Sequence, residues 1–220
     1  MTELHDELEA APVVESRIAY PGVIWDIRSE TFTLPEAPRP MRREFTAHTS
    51  AVAIAAVDSQ DRILLIRQYR HPVLAREWEI PAGLLDQAGE SGQPAAAREL
   101  YEEADLRAAE WSVLADQYTT PGSSSEVLRI FLARGLSAVP RAQQHAREDE
   151  ELGIEKRWVD LSEAAAAVSA GGILNATCQL AVLHAERARA AGWAGLRPGD
   201  APWPSLEHIR AAGHARLPRG

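Results

Sequence analysis

Apolar and polar positions along the chain follow two different rhythms, and the change between them marks out the elements. Residues 51–57 and 63–66 are apolar at nearly every position and are separated by Asp58-Ser59-Gln60-Asp61. That texture predicts two buried strands joined by a turn. Ahead of them, 20–34 and 43–48 mix β-branched and aromatic residues with Pro and Gly, predicting short strands around a loop at 35–40 and hence a small N-terminal antiparallel sheet. Trp78 to Ile80 reads as a further strand, stopped by Pro81 and Gly83. More strands are expected at 112–118, 127–133 and 156–160.

The helical rhythm is strongest after Pro94, where AAARELYEEADL is rich in helix-forming Ala, Leu, Glu and Arg. A second helix is expected at 162–170, with Ser162 as N-cap and Gly171-Gly172 as its stop, and a third from Asn175 to about Ala191. Strands interleaved with helices predict an α/β fold with helices packed on both sides of a mixed sheet. The chain then divides into a mobile N-terminus (1–16), an N-terminal β-subdomain (17–48), a main domain (49–191) and a loosely docked or disordered tail (192–220).

Composition narrows what such a fold can do. A formal charge of -9 and a pI near 5.3 disfavour nucleic acid or an anionic membrane as partner, and an anionic small substrate would need a compensating cation. The single cysteine, Cys178, forms no internal disulfide, and no Cys/His zinc spacing occurs, which fits a reducing cytoplasm. Neither a secretory signal nor an apolar run of about 20 residues is present, so no membrane span is expected.

The chemistry concentrates on the first helix. Glu99, Glu102 and Glu103 stand three and four residues apart, so their carboxylates share one helix face and repel one another unless a cation intervenes. Hard divalent cations take such oxygen ligands; a solvated acidic face is the plainer alternative. Arg98 can pair with Glu102 or reach back to Glu90, and either contact ties the preceding loop to the helix. Gly83 opens that loop and tolerates close backbone approaches.

The stretch Gly83 to Leu106 resembles the Nudix box, G-x5-E-x7-R-E-U-x-E-E-x-G-U, with Glu90, Arg98, Glu99, Leu100, Glu102, Glu103 and Leu106 on the pattern. Two departures stand out. Six residues rather than five separate Gly83 from Glu90, and Asp105 replaces the glycine that ends the helix in a left-handed turn. The resemblance implies a Nudix-type α/β/α sandwich, with Glu99 and Glu103 as principal Mg2+ ligands, Glu102 as a further one, the Ala82 carbonyl contributing, and Glu90 and Arg98 holding the loop. Mn2+ is a plausible substitute. The reaction implied is hydrolysis of the pyrophosphate of a nucleoside diphosphate derivative.

Residues 67–70 and 78–86, together with Pro121 fifteen positions after Leu106, are similar to the ADP-ribose pyrophosphatase subgroup. By that resemblance the substrate is ADP-ribose, split to AMP and ribose 5-phosphate. Arg67 or Arg70 supplies a fork to phosphate, unless these pair as strand-edge ion pairs. Glu79 accepts from ribose or adenine, or forms a structural salt bridge. Trp25, Tyr69 and Trp78 are candidate stacking surfaces, and the 121–126 loop with Pro121 and Glu126 follows the subgroup. The water-activating base falls at Glu150, with Glu151 as alternate. His48, His71 and His145 read as structural or solvent-exposed. The subgroup also implies a homodimer in which N-terminal segments reach the partner's site. A hydrolase of another nucleoside diphosphate sugar and a catalytically silent ligand sensor are the competing readings.

Overall fold

The computed structural model describes residues 4–145 and 153–216, which fall into two compact units. The larger unit comprises 51–117 and 128–201; the smaller comprises 1–50, 118–127 and 202–220.

At the centre of the larger unit lies β1, Ala51–Ala56, every residue of which is buried. It runs parallel to β2, Val127–Ala138, and antiparallel to the short β3, Ala82–Leu84. With β4, Leu106–Tyr118, and β5, Arg197–Pro198, these make a mixed sheet in the order β5-β4-β2-β1-β3. A three-stranded antiparallel sheet has β6, Arg62–Arg70, between β7, Glu155–Asp160, and β8, Ala75–Glu79.

Register explains why both faces of β1 are apolar. Ala51, Ala53 and Ala55 pair with Leu128, Ile130 and Leu132, and this set joins a core with Leu161, Ala164, Cys178, Ala181, Val182 and Ala185. Those last residues come from α2, Leu161–Ser169, and α3, Ala176–Ala190. The alternate set, Val52, Ile54 and Ala56 beside Arg129, Phe131 and Ala133, points the other way. Helix α1, Gly92–Ala104, packs against β1 and β3 and buries Ala95, Ala96 and Leu100. Helices thus cover both faces of a mixed sheet, as the alternation of elements predicts.

Local chemistry fixes the ends. Asp105 terminates α1 at φ 58°, ψ 39°, and its carboxylate accepts from Lys156 Nζ at 2.7 Å. An aspartate therefore fills a left-handed position that glycine suits best. The cap of α2 is Asp160 rather than Ser162: its carboxylate accepts from the N–H groups of Ser162 and Glu163, which places the helix start one residue earlier than expected. Asn175 caps α3 through the N–H of Cys178.

In the smaller unit, β9 (Val13–Tyr20), β10 (Asp26–Phe32) and β11 (Met41–Ala47) form an antiparallel sheet in chain order. β9 begins inside the segment expected to be mobile, because its backbone pairs with β10 although all its side chains are exposed. The tail is also ordered where described: α4, Pro204–Ala211, buries Leu206, and Trp203 just before it is buried too. Its aperiodic Gly, Pro and Trp hid an anchor made of only a few large side chains. Among the described residues no helix is long and apolar enough to cross a membrane.

Candidate active site

Pro81 to Leu84 leaves the β8 edge and pairs with β1, so the loop lies against α1. The Ala82 N–H donates to the Glu103 carboxylate at 2.9 Å. A Cβ on Gly83 would occupy the space taken by the Glu99 carboxyl, so any other residue here would turn that carboxyl aside. Arg98 binds three carboxylates at once. It donates to both oxygens of Glu90 at 3.2 and 3.1 Å, to Glu99 at 2.6 Å and to Glu102 at 2.9 Å. Both contacts open to Arg98 in the sequence are therefore made, and a third besides.

Burial sets the electrostatics. It pushes the Glu99 carboxyl up to about 7 against the pull of Arg98, with the charges of Glu102 and Asp86 adding to the rise. Burial likewise takes Glu103 up to about 8, opposed by the Ala82 N–H. Burial works against the charge of Arg98 too, but its bonds to Glu90, Glu99 and Glu102 outweigh this and hold the guanidinium more firmly protonated than usual. Among the described residues, no three His, Cys, Asp or Glu side chains stand gathered as an ion would require. Arg98 lies among the carboxylates of Glu90, Glu99 and Glu102, while Glu103 turns inward to Ala82. The even three-carboxylate patch expected from helical phase is thus divided.

Arg70 and Glu79, expected as separate substrate contacts, meet each other. Two bonds of 2.8 and 2.7 Å join them, and Gln68 donates to the same carboxylate at 3.3 Å. This is the salt-bridge alternative: on the antiparallel neighbours β6 and β8 the register sets Glu79 opposite Ile66 and Arg70 opposite Ala75, so the arginine reaches along one face of the pair, past Gln68, to the carboxylate. Arg67 pairs with Glu155 at 2.7 Å and lies 5.1 Å from the centre of the Trp78 ring. Gln68 and Asp86, which the motif does not single out, join the two clusters: Gln68 bonds to Glu79, and the charge of Asp86 acts on Glu99. Glu150 and Glu151 lie outside the described residues.

In the smaller unit, Trp25 stacks on His48 with ring centres 4.9 Å apart. His48 is buried and structural: its Nδ1 accepts from the Ser50 N–H at 3.0 Å, and its Nε2 lies 3.5 Å from the Glu126 carboxylate. Glu126 also accepts from the Thr119 hydroxyl. Pro121 lines a cavity of about 590 Å³ together with Phe32, Phe45, Tyr118 and Ile209.

A model of the NUDIX domain matches residues 47–176, more than half of the chain. The chain belongs to the Nudix family. It is 40% identical over 190 residues to an ADP-ribose pyrophosphatase of Mycobacterium tuberculosis (strain ATCC 25618 / H37Rv), covering 86% of this chain and 89% of that protein. It is 30% identical over 177 residues to an ADP-ribose pyrophosphatase of Bacillus subtilis (strain 168), covering 80% and 92%. Among solved structures, an ADP compounds hydrolase superposes with a TM-score of 0.68 at 20% identity, covering 86% of this chain and 99% of that one. That last likeness is one of fold, and it extends to the helix-covered mixed sheet of this Nudix chain. The matched range contains the whole stretch from Gly83 to Leu106, including the one-residue insertion before Glu90 and the Asp105 turn.

Proposed function

We propose that this Nudix protein is a Mg2+-dependent pyrophosphohydrolase that converts ADP-ribose to AMP and ribose 5-phosphate. The observation that carries the reading is the seating of Glu99 and Glu103 against the Ala82-Gly83 backbone, in a chain that resembles two ADP-ribose pyrophosphatases over most of its length. The donor set suits a hard divalent cation: it is all oxygen, and burial leaves two of its carboxyls reluctant to ionise without a positive charge beside them.

Glu99, Glu102 and Glu103, with the Ala82 carbonyl, would hold Mg2+ or Mn2+. When bound, the ion polarises the phosphoryl oxygens and lowers the pKa of coordinated water. The chain's own groups do the rest. Glu90 and Arg98 keep the loop on the helix. Arg67 and Arg70 present guanidinium groups for phosphate, each more than a third exposed while paired. A carboxylate from residues 147–151, Glu150 or failing it Glu151, takes the proton from the attacking water.

A homodimer in the cytoplasm completes the reading. Support for pairing comes from the exposed apolar side chains of Val13, Val14, Ile18 and Tyr20 on β9 and of Ile24 after it. A mass measurement in solution tests this, and an active monomer would refute it.

The substrate test is a panel of ADP-ribose, ADP-glucose, GDP-mannose, NADH and a dinucleoside polyphosphate, each with Mg2+ and with chelator. ADP-ribose should be turned over best, and only with metal. Far faster cleavage of GDP-mannose would overturn the substrate while leaving the family in place. Glu150→Gln should slow turnover with metal affinity intact, and full activity in that variant with a dead Glu151→Gln would move the base by one residue.

A further inference from the structure

Helix α1 ends on a residue ill suited to its place by every local criterion. Asp105 stands where the Nudix box carries glycine, at φ 58° and ψ 39°, a left-handed conformation that a side chain makes costly. It also puts a negative charge at a helix C-terminus, where the peptide dipoles already leave negative potential. Glu102 and Glu103 lie three and two residues before it, so its charge adds to theirs. A residue held against such costs needs support from elsewhere in the fold.

That support comes from distant points of the larger unit. The Asp105 carboxylate accepts from Lys156 Nζ at 2.7 Å, with the two side chains 11% and 29% exposed. Its backbone carbonyl accepts from the N–H of Val139, just beyond β2, at 2.9 Å. One helical turn back, the Tyr101 hydroxyl donates to the Gln143 carbonyl at 2.6 Å. Lys156 lies opposite Ile66 on β7, a strand paired with β6 at every position, so the ion pair ties the helix end to a sheet rather than to a loop. Tyr101 and Asp105 bracket Glu102 and Glu103, and the turn that carries both carboxylates is therefore gripped on either side.

Helix ends fray, and Glu102 and Glu103 belong to the last turn of α1. A glycine would close the helix with the same backbone turn but would offer no side chain to hold it. We infer that Asp105 is a positioning residue for the metal ligands: through Lys156 it holds the last turn of α1 so that Glu102 and Glu103 are already placed when a divalent cation arrives. The inference rests on the reading above that these carboxylates hold the ion. A tether and a bare charge act differently. As a charge alone, loss of Asp105 would weaken cation binding and loss of Lys156 would strengthen it. A tether is cut from either end, so both losses weaken binding.

The test is calorimetric titration of full-length protein with Mn2+ alone, together with the Mg2+ concentration that half-activates turnover of ADP-ribose and the Tm in chelator. The variants are Asp105→Gly, Asp105→Asn, Lys156→Met and Asp105→Gly with Lys156→Met. Asp105→Gly and Lys156→Met should each raise the Kd for Mn2+ about tenfold, the lower end of what loss of a ligand's support costs. The Mg2+ requirement should rise in parallel, and turnover at saturating Mg2+ should stay close to the parent's. Asp105→Asn tolerates the left-handed turn and keeps an oxygen for Lys156, so it should retain most of the affinity. The double variant should bind Mn2+ as well as either single one, because each removes the same tether. Asp105→Gly should show its loss of affinity with a Tm in chelator near the parent's, which a purely structural role would not produce.

An unchanged Kd for Mn2+ in Asp105→Gly would overturn the inference, as would tighter binding in Lys156→Met or losses that multiply in the double variant. If Asp105→Gly does not fold, Lys156→Met decides alone by the sign of its effect. A parent protein that binds Mn2+ no better than its Glu103→Gln variant would instead sink the reading of the carboxylate cluster, whatever the Asp105 variants do.

Discussion

Replacing Arg98 with methionine keeps most of the side-chain volume and removes the charge shared by Glu90, Glu99 and Glu102. The guanidinium is 20% exposed and its three partners 13%, 12% and 24%. Pairs at the surface contribute about 0–1 kcal/mol, and stripping one partner from a fully buried pair costs about 3–5 kcal/mol. One-fifth exposure with several partners places the loss between these, at about 2–4 kcal/mol near pH 8. The loss should depend on pH in a definite direction. Glu99 has a folded pKa raised to about 7 from an ordinary 4.5, so the stability it allows is fully present below about 4.5 and is lost as pH rises through about 7. Without Arg98, which pulls that pKa down, the carboxyl moves higher still and takes a proton readily in mildly acidic solution. The variant should therefore lie close to the parent at pH 5.5 and well below it at pH 8. Urea unfolding in chelator at the two pH values measures this, and titration with Mg2+ at pH 8 should restore stability more in the variant than in the parent. A destabilisation equal at both pH values, or none at pH 8, would refute the electrostatic account of this cluster.

Three further outcomes follow from other sites. Gly83→Ala puts a methyl where the Glu99 carboxyl sits, so turnover should fall by at least about a hundredfold, an effect of misplacing a reacting group, while circular dichroism stays that of the parent. His48 is held below its ordinary pKa chiefly by burial, with Glu126 pulling the other way. The parent should thus lose stability as pH falls below about 6.5, whereas His48→Asn, whose Oδ1 can still accept from the Ser50 N–H, should show a flatter acid limb in thermal melts. Asp105→Gly relieves a left-handed residue but removes the Lys156 ion pair, and these opposed effects of about 1 kcal/mol should nearly cancel; Asp105→Ala keeps the strain and loses the pair, so its Tm should drop by several degrees.

The sequence was informative where one physical cause acts locally. Double-sided burial makes β1 a continuous apolar run, and the Glu, Arg and Gly spacing from 83 to 103 follows from helical phase and a loop that must touch the helix. It was less informative where partners are distant in the chain. Arg70 and Glu79 each read either as a ligand contact or as half of an ion pair, and nothing local says that they choose each other, because Arg70 reaches Glu79 along one face of two neighbouring strands. The tail reads as irregular because Trp203, Leu206 and Ala215 have no period, yet all three side chains are buried. Asp160 is strand, as the sequence predicts, and also caps α2, because it ends β7 where the helix begins at once.

The division of the carboxylates between Arg98 and the Ala82 N–H carries a consequence for metal affinity. A cation joining Glu99 and Glu102 must displace donors that already satisfy them, and it gains in return two carboxyls whose burial makes an unpaired charge costly. Burial raises the pKa of both Glu99 and Glu103, so binding of a cation to these carboxyls should release protons and strengthen as pH rises. A neutral surface helix with three glutamates would do neither: its carboxylates would already be ionised and hydrated, and a divalent ion would gain little by approaching them. The burial supplied by Gly83 and the strand beneath it is what separates a binding site from an acidic face.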